Sequence, residues 1–214
     1  MNVETTATLV RVLRGAPAVL VQVSTDYVFD GAKGAAYDER DAPHPLSVYG
    51  RTKAEAEQIA LRHPRAAVVR TSTLFGEGRM NFCDHLVERL RQGQPVEAFR
   101  DQVTSPTYAA DLAEALARLG DALARSADGR WARVYHLANA GGCSRVAFAE
   151  RVAELVGGSK TFIRAIAMAD QRRPAPRPAY SALATVHAPQ MIGRTLRPWD
   201  EALHAYLQAR GWLS

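Results

Sequence analysis

The sequence has few cysteines and no long hydrophobic run. Its two cysteines, Cys83 and Cys143, lie far apart and have no histidine or cysteine neighbours at the spacing of metal ligands. A disulfide scaffold and a zinc site are therefore not expected, and a reducing compartment fits. No apolar run of about 18 residues and no signal peptide is found, so the sequence predicts a cytoplasmic protein without a membrane-spanning helix.

Lysine is also rare, although the chain is basic. The formal net charge is +5, from 27 basic and 22 acidic residues, yet only Lys33, Lys53 and Lys160 are lysines. The arginines are scattered rather than arranged in a stripe, which argues against a nucleic-acid partner. The arginine-rich composition of a high-GC genome explains the excess of charge, and a nucleotide phosphate ligand is the next explanation.

The sequence lacks a glycine-rich phosphate-binding turn as well. None of the 15 glycines belongs to a GxGxxG or GxxGxxG pattern, and the nearest stretches are GAKG at 31–34 and GEG at 76–78. Neither stretch has a third glycine or a following helix in register. The motif that usually presents a helix N-terminus to a pyrophosphate is therefore not found.

Short apolar runs alternate with amphipathic stretches along the chain. Strands are predicted at 18–24, 66–72 and 134–138, and polar or proline-rich loops at 30–46 and 172–178. Helices are predicted at 2–14, 47–62, 82–92, 109–119, 144–156 and 199–211, the last ending at a glycine. Because continuously apolar strands alternate with helices, we expect an α/β fold: a doubly wound parallel sheet with extra C-terminal elements.

Polar residues stand at the ends of two predicted strands. The first strand runs into Ser24, Thr25, Asp26 and Tyr27, and the second ends in Arg70, Thr71 and Ser72. In doubly wound sheets, ligands bind outside the carboxyl ends of the strands. These residues therefore predict a ligand crevice at that edge of the sheet.

Tyr49 and Lys53 open the helix that follows the first strand. They are four positions apart, so they share one helix face. A nearby ammonium and the helix N-terminus would lower the pKa of the phenol, and such a tyrosine can exchange a proton with a carbonyl or alcohol oxygen. Thr25 would hydrogen-bond the same oxygen. A YxxxK match also arises by chance in roughly one such sequence in ten, and Thr25 and Tyr27 would then be ordinary strand-end and core residues.

Five stretches of the sequence resemble one family. They are VSTDYVFDG (23–31), YDERDAPHPLSVYGRTKAEAE (37–57), VVRTSTLFGEGRMNF (68–82), DQVTSPTYAADLA (101–113) and RPAYSAL (177–183). In this order they are similar to the dTDP-4-dehydrorhamnose reductases of the extended short-chain dehydrogenase/reductase superfamily. The resemblance implies a Rossmann-like sheet, N-terminally incomplete, with a small substrate-binding lobe. It also implies reduction of the 4-keto group of dTDP-4-dehydrorhamnose with NADPH or, in some members, NADH.

The resemblance assigns roles to residues. The catalytic set is Thr25, Tyr49 and Lys53; the cofactor-binding residues are Ser24, Tyr49, Lys53, Thr71 and Ser72; the substrate-binding residues are Asp26, Tyr27, Asn81, Phe82, Gln102, Thr107 and Arg177. Arg173 and Arg177 are interpreted as a pyrophosphate clamp, with a solvated loop as the alternative. Family members often form homodimers, sometimes with interfacial Mg²⁺, but no residue here predicts a metal site.

The resemblance also divides the chain into two parts. Residues 1–75 and about 94–137 would form the cofactor domain, and about 76–93 and 138–214 the substrate lobe. Thr73 stands where the family commonly has tryptophan and Thr104 where it has glycine, so the sugar is left open. The first strands of a family member have no counterpart, which would leave the strand at 18–24 at an open edge.

Three explanations for the missing strands remain open: a truncated or misassigned gene, a fragment completed by another chain, and a shortened protein that keeps a binding role. A regulatory subunit is therefore the alternative to the enzyme, since the same family contains a regulatory subunit of methionine adenosyltransferase. An epimerase or dehydratase is the third candidate, because Asp26 offers a carboxylate beside Thr25.

Overall fold

The computed structural model describes residues 2–126 and 131–214. Its helices are α1 (Asn2–Val12), α2 (Val48–Ala60), α3 (Phe82–Arg91), α4 (Ala109–Arg125), α5 (Arg145–Leu155), α6 (Ala188–Ile192) and α7 (Trp199–Ala209). Its strands are β1 (Leu20–Thr25), β2 (Ala66–Thr71), β3 (Leu74–Phe75), β4 (Val96–Phe99), β5 (Val103–Thr104), β6 (Thr107–Tyr108), β7 (Val134–His136), β8 (Cys143–Ser144) and β9 (Ile163–Ile166).

The main sheet is parallel, with the strand order β1-β2-β7. Every residue of the central strand β2 is buried, which is why it reads as an unbroken apolar run. Helices α1 and α2 pack together, with α2 against β1, and α4 packs with α6. Leu112 and Leu119 of α4 join Val69 of the sheet in one apolar cluster. The predicted parallel α/β fold is confirmed.

Strand β1 is one of the two outer strands of this sheet in the part of the chain described, and β7 is the other. Leu20 donates its amide hydrogen to the Arg65 carbonyl. The backbone amide and carbonyl groups of alternate β1 residues therefore point towards β2, and those of the residues between them point away from the sheet. Val23 is 39% exposed on this outer strand. The expected open edge is therefore observed.

A second group of elements surrounds its own apolar core. Strands β4 and β9 pair in parallel, and β5 pairs antiparallel with β8. Phe75, Phe148 and Tyr206 lie in the core that α3, α5 and α7 enclose. The sequence reading missed these strands because they are only two to four residues long.

The two-part division stays a prediction, and residue 1 and residues 127–130 lie outside the described residues. Strand β4 falls in the range assigned to the cofactor domain, yet its partner β9 falls in the range assigned to the substrate lobe.

Helix α4 runs to Arg125, beyond the predicted end at 119, because its Ala/Leu pattern continues past Gly120. Gly211, with φ +62°, follows α7 as predicted. Within the described ranges, no helix is both long and apolar enough to cross a bilayer.

Candidate active site

The site begins where β1 ends. Thr25 is the last residue of β1 and pairs in register with Thr71 of β2. It also caps a 3₁₀ turn at Asp26–Val28: its hydroxyl oxygen accepts from the Tyr27 amide at 3.2 Å and donates to Asp26 Oδ1 at 3.1 Å. Both hydroxyl-bearing strand ends therefore meet at one edge of the sheet, as the sequence predicts.

Asp26 is buried and fully engaged. It is 2% exposed, and its Oδ2 accepts from Ser72 Oγ at 2.9 Å and from Ser181 Oγ at 2.5 Å. Burial raises the pKa of this carboxyl, and the three hydroxyl donors oppose that rise. Asp26 therefore joins segments of the protein and does not present a free carboxylate towards a sugar. Ser181 was not identified from the sequence, although it lies in RPAYSAL.

Tyr49 comes to Thr25 from the first turn of α2. The Ser47 hydroxyl caps this helix by accepting from the Gly50 amide at 3.1 Å. A Cβ on Gly50 would lie 2.2 Å from the Tyr27 carbonyl oxygen, so only glycine lets α2 start this close to the turn. The Thr25 hydroxyl lies close enough to the Tyr49 phenol to lower its pKa, and the Tyr49 side chain is half-exposed.

Lys53 does not sit beside the phenol as expected. Its ammonium donates to the outward Val23 carbonyl of β1 at 2.6 Å. Burial raises the pKa of Tyr49 from its ordinary value, the Thr25 hydroxyl opposes that rise, and the Asp26 carboxylate and the ionised form of Tyr27 add to it. The expectation that the Tyr49 pKa is lowered is therefore wrong for the ligand-free chain. Burial lowers the pKa of Lys53, and Glu57 opposes that change.

Four buried polar groups at or near these strand ends have no hydrogen-bond partner in the described structure. They are Ser24 Oγ, Thr71 Oγ1, Gln102 Nε2 and Thr104 Oγ1. Buried polar groups are nearly always hydrogen-bonded. These four groups without a partner therefore indicate that a ligand or water binds at this edge. Ser24, Thr71 and Gln102 were predicted as ligand-binding residues.

Other predicted residues are engaged within the protein. Asn81 caps α3, accepting from Cys83 and Asp84 amides and donating to the Gly76 carbonyl at 2.9 Å. The Thr107 hydroxyl donates to the Ser105 carbonyl at 3.1 Å. Asn81 and Thr107 therefore both stabilise the local structure. A contact of either residue with the substrate stays a prediction.

Arg145, Arg173 and Arg177 lie near the predicted site. Arg173 stacks over the Phe99 ring at 4.4 Å, and its charge and that of Arg177 repel each other. Arg145, the first residue of α5, lies over the Phe82 ring at 5.1 Å and is repelled by Arg177. The sequence reading missed Arg145; a cation directly after a helix cap, where the helix dipole disfavours it, was the signal available.

The backbone turns sharply after β2. Thr73 has φ +32°, a left-handed conformation that is a genuine outlier for a β-branched residue. Such strain concentrates at functional sites. Thr104, the other departure from the family pattern, lies in the extended strand β5 and shows no positive φ.

A cavity of about 560 Å³ lies elsewhere, between α4 and the segment before α7. Its charged side chains pair with one another, Arg194 with Glu114 and Arg197 with Asp111. No cluster of three or more metal-ligating side chains occurs among residues 2–126 and 131–214.

Comparison with known proteins assigns the family. The RmlD substrate binding domain family matches residues 1–211. The chain belongs to this family. Among RmlD-family relatives, a dTDP-4-dehydrorhamnose reductase of Mycobacterium tuberculosis (strain ATCC 25618 / H37Rv) is 42% identical over 199 residues, covering 90% of this chain and 63% of the relative. The spore coat polysaccharide biosynthesis protein SpsK of Bacillus subtilis (strain 168) is 36% identical, covering 90% and 65%. The chain thus spans just under two thirds of these relatives.

Solved RmlD-like structures share the fold. A dTDP-4-dehydrorhamnose reductase from Clostridium acetobutylicum ATCC 824 superposes with a TM-score of 0.86 at 29% identity, covering 99% of this chain and 72% of that one. The Bacillus anthracis str. Ames reductase in complex with NADP gives 0.87 at 27% identity, covering 98% and 72%. The chain therefore has the Rossmann-like α/β fold of the extended reductases.

Proposed function

We propose that the chain carries the catalytic side chains of an NADPH-dependent reductase of a nucleotide-linked 4-keto-6-deoxy sugar, dTDP-4-dehydrorhamnose or a close relative. The contact between Tyr49 and Thr25 at the carboxyl end of β1 carries this proposal. The 42% identity to the named Mycobacterium tuberculosis reductase supports the same chemistry.

Tyr49 is the general acid of the proposed reaction. Because burial raises the pKa of the phenol from its ordinary value, the phenol keeps its proton at neutral pH and can give it to the sugar's C4 oxygen. The Thr25 hydroxyl, which donates to Asp26 in the free chain, then lies next to the phenolate that remains. Asp26 holds Thr25 from behind, so the proton donor is positioned before the ligand arrives.

The residues at the strand ends fit a nicotinamide cofactor. The unpartnered hydroxyls of Ser24 and Thr71 would bind its nicotinamide half, together with Ser72 and the Tyr49 phenol. Lys53 would leave the Val23 carbonyl and donate to ribose hydroxyls. The bound cofactor would supply the hydride. The NADP complex of the Bacillus anthracis reductase supports this cofactor class, and the preference for NADPH belongs to the proposal.

The substrate would lie between the strand ends and the second group of elements. Tyr27 and Phe82 offer aromatic surfaces, and Gln102 offers a buried amide donor without a partner. Arg173 and Arg177 are cations on the loop beside this space and would hold the diphosphate.

A fluorescence titration of the purified chain with NADPH, followed by a ketoreductase assay on the dTDP-4-keto sugar, tests the proposal. We expect saturable binding, and turnover that Tyr49→Phe abolishes without changing the circular dichroism spectrum. Turnover equal to the parent in Tyr49→Phe would contradict the role of the phenol. Absence of turnover by a folded chain that binds the sugar nucleotide would contradict the reductase.

A non-catalytic sugar-nucleotide-binding subunit is the second candidate. The position of Lys53 favours it, since its ammonium contacts Val23 and is not among the groups that shift the Tyr49 pKa. In that case the chain would bind the sugar nucleotide and a partner protein, and Tyr49→Phe would change neither interaction.

A further inference from the structure

Arg145 carries a charge that has no ion-pair partner in the described part of the chain. It opens α5 directly after Ser144, whose hydroxyl caps the helix by accepting from the Ala147 amide. Across residues 2–126 and 131–214, its guanidinium has no carboxylate within 4.0 Å and makes no hydrogen bond; its one close contact is the Phe82 ring at 5.1 Å. Arg151 of the same helix, by contrast, pairs with Glu154 at 3.0 Å.

Three effects make this position unfavourable for a cation. The side chain is partly buried, and burial lowers the pKa of Arg145. The N-terminus of α5 is the positive end of the helix dipole. Arg177 adds a like charge. Asp26 attracts Arg145, but its carboxylate already accepts three hydroxyl hydrogens. The charge is therefore suited to an anion that is not part of the chain.

A second donor lies next to Arg145. The Arg145 amide donates to the Gln102 carbonyl at 3.2 Å, so the two residues are neighbours. The Gln102 side chain is 1% exposed and its Nε2 has no partner. A guanidinium and a buried amide together supply the donors that an anionic oxygen group requires.

The position of this pair relative to Tyr49 indicates which anion it takes. Arg145 lies close enough to Asp26 and Tyr27 for the ionised form of either residue to raise its pKa, and the Tyr27 ring meets the Tyr49 ring edge-on at 6.0 Å. Arg145 therefore lies towards the proposed reacting end of the ligand. In a nucleotide sugar, the anionic group nearest the sugar is the second phosphate.

We propose that Arg145, assisted by Gln102, binds the sugar-side phosphate of a nucleoside diphosphate ligand. This assignment rests on the proposed function, because it takes the ligand to be a nucleotide sugar oriented with its sugar at Tyr49. It adds a binding residue at the start of α5 to the two arginines of the loop, Arg173 and Arg177.

Isothermal titration of the full chain with dTDP and with thymidine monophosphate tests the assignment. Arg145→Gln is expected to weaken dTDP binding by about tenfold to hundredfold, the range for a lost charge-assisted hydrogen bond, and to change thymidine monophosphate binding by less than about twofold. Arg145→Lys should keep part of the dTDP affinity. Arg151→Gln, in the same helix, should bind dTDP as the parent does.

Thermal unfolding without ligand is the second measurement, and here Arg145→Gln should gain stability although it loses affinity for dTDP. Removing an unfavourable charge should raise the Tm of Arg145→Gln, whereas loss of a structural residue would lower it. Parent-like dTDP binding by Arg145→Gln, equal weakening for both nucleotides, or a lowered Tm would each overturn the role of Arg145 and leave the proposed reductase standing. A parent chain that binds neither nucleotide would overturn both.

Discussion

Ser181 donates its hydroxyl hydrogen to Asp26 across 2.5 Å and 155 residues of sequence. Ser72 donates to the same carboxylate oxygen, so one buried acid joins the end of β1, the end of β2 and the segment before α6. The other oxygen of Asp26 holds Thr25, which contacts Tyr49. The position of the proposed proton donor thus depends on contacts from three distant parts of the chain.

Asp26→Asn should change how stability depends on pH. Because the pKa of Asp26 is raised in the folded state, its protonated form favours folding, and stability is lost as pH rises from about 4 through the raised pKa. The neutral amide removes that loss. We expect the free energy of unfolding of the variant, relative to the parent, to increase with pH over this window. Urea denaturation at a series of pH values measures it; parallel curves would contradict the burial effect.

The pKa of the Tyr49 phenol should be raised from the ordinary value of a tyrosine in the free chain. Asp26→Asn should lower its pKa, since the Asp26 charge raises it. Lys53→Met should leave it unchanged, because the Lys53 ammonium lies on the Val23 carbonyl. Phenolate absorption in the ultraviolet measures the titration, and Tyr49→Phe identifies the signal. A higher pKa in Lys53→Met would show that Lys53 acts on the phenol after all.

Glu57→Gln should destabilise the fold by about 3–5 kcal/mol. Arg70 Nη2 contacts Glu57 Oε2 at 2.8 Å and Arg70 Nε contacts Oε1 at 3.1 Å, with both side chains 4% exposed. The substitution leaves a buried guanidinium without its counter-charge. Denaturant unfolding measures the loss. The double variant Glu57→Gln/Arg70→Met should recover most of it, and equal loss in both variants would contradict this reason.

Gly50→Ala and Gly120→Ala should act in opposite directions. At Gly50 the added methyl would lie 2.2 Å from the Tyr27 carbonyl oxygen, so we expect a loss of about 3 kcal/mol or more. At Gly120, inside α4, an added Cβ would have no neighbouring atom within 4 Å. The better helix propensity of alanine should therefore increase the free energy of unfolding by about 0.5–1 kcal/mol. Urea denaturation compares the two. A tolerated Gly50→Ala would show that α2 can move away from the turn.

Local patterns predicted the main sheet and the longer helices, but they missed the short strands and the five-residue helix α6. Helix α2 was found because Ser47 caps a regular amphipathic run, and β2 because burial on both faces makes it uniformly apolar. Strand β4 has four residues, and its partner β9 lies far along the chain, so no local period identifies either. The site residues Thr25 and Tyr49 were predicted together because both stand at element ends that face one edge of the sheet.

The sequence by itself determined the parallel α/β architecture, the hydroxyl-bearing strand ends and the family. Those features follow from short-range periodicity, capping and contiguous motifs. Only the tertiary structure decided that Lys53 contacts Val23, that three hydroxyls donate to buried Asp26 and that Arg145 has no counter-charge among residues 2–126 and 131–214. The reason is physical: the partner of a charge is chosen by distance and burial, and two of these partners, Val23 for Lys53 and Ser181 for Asp26, lie 30 and 155 residues away along the chain.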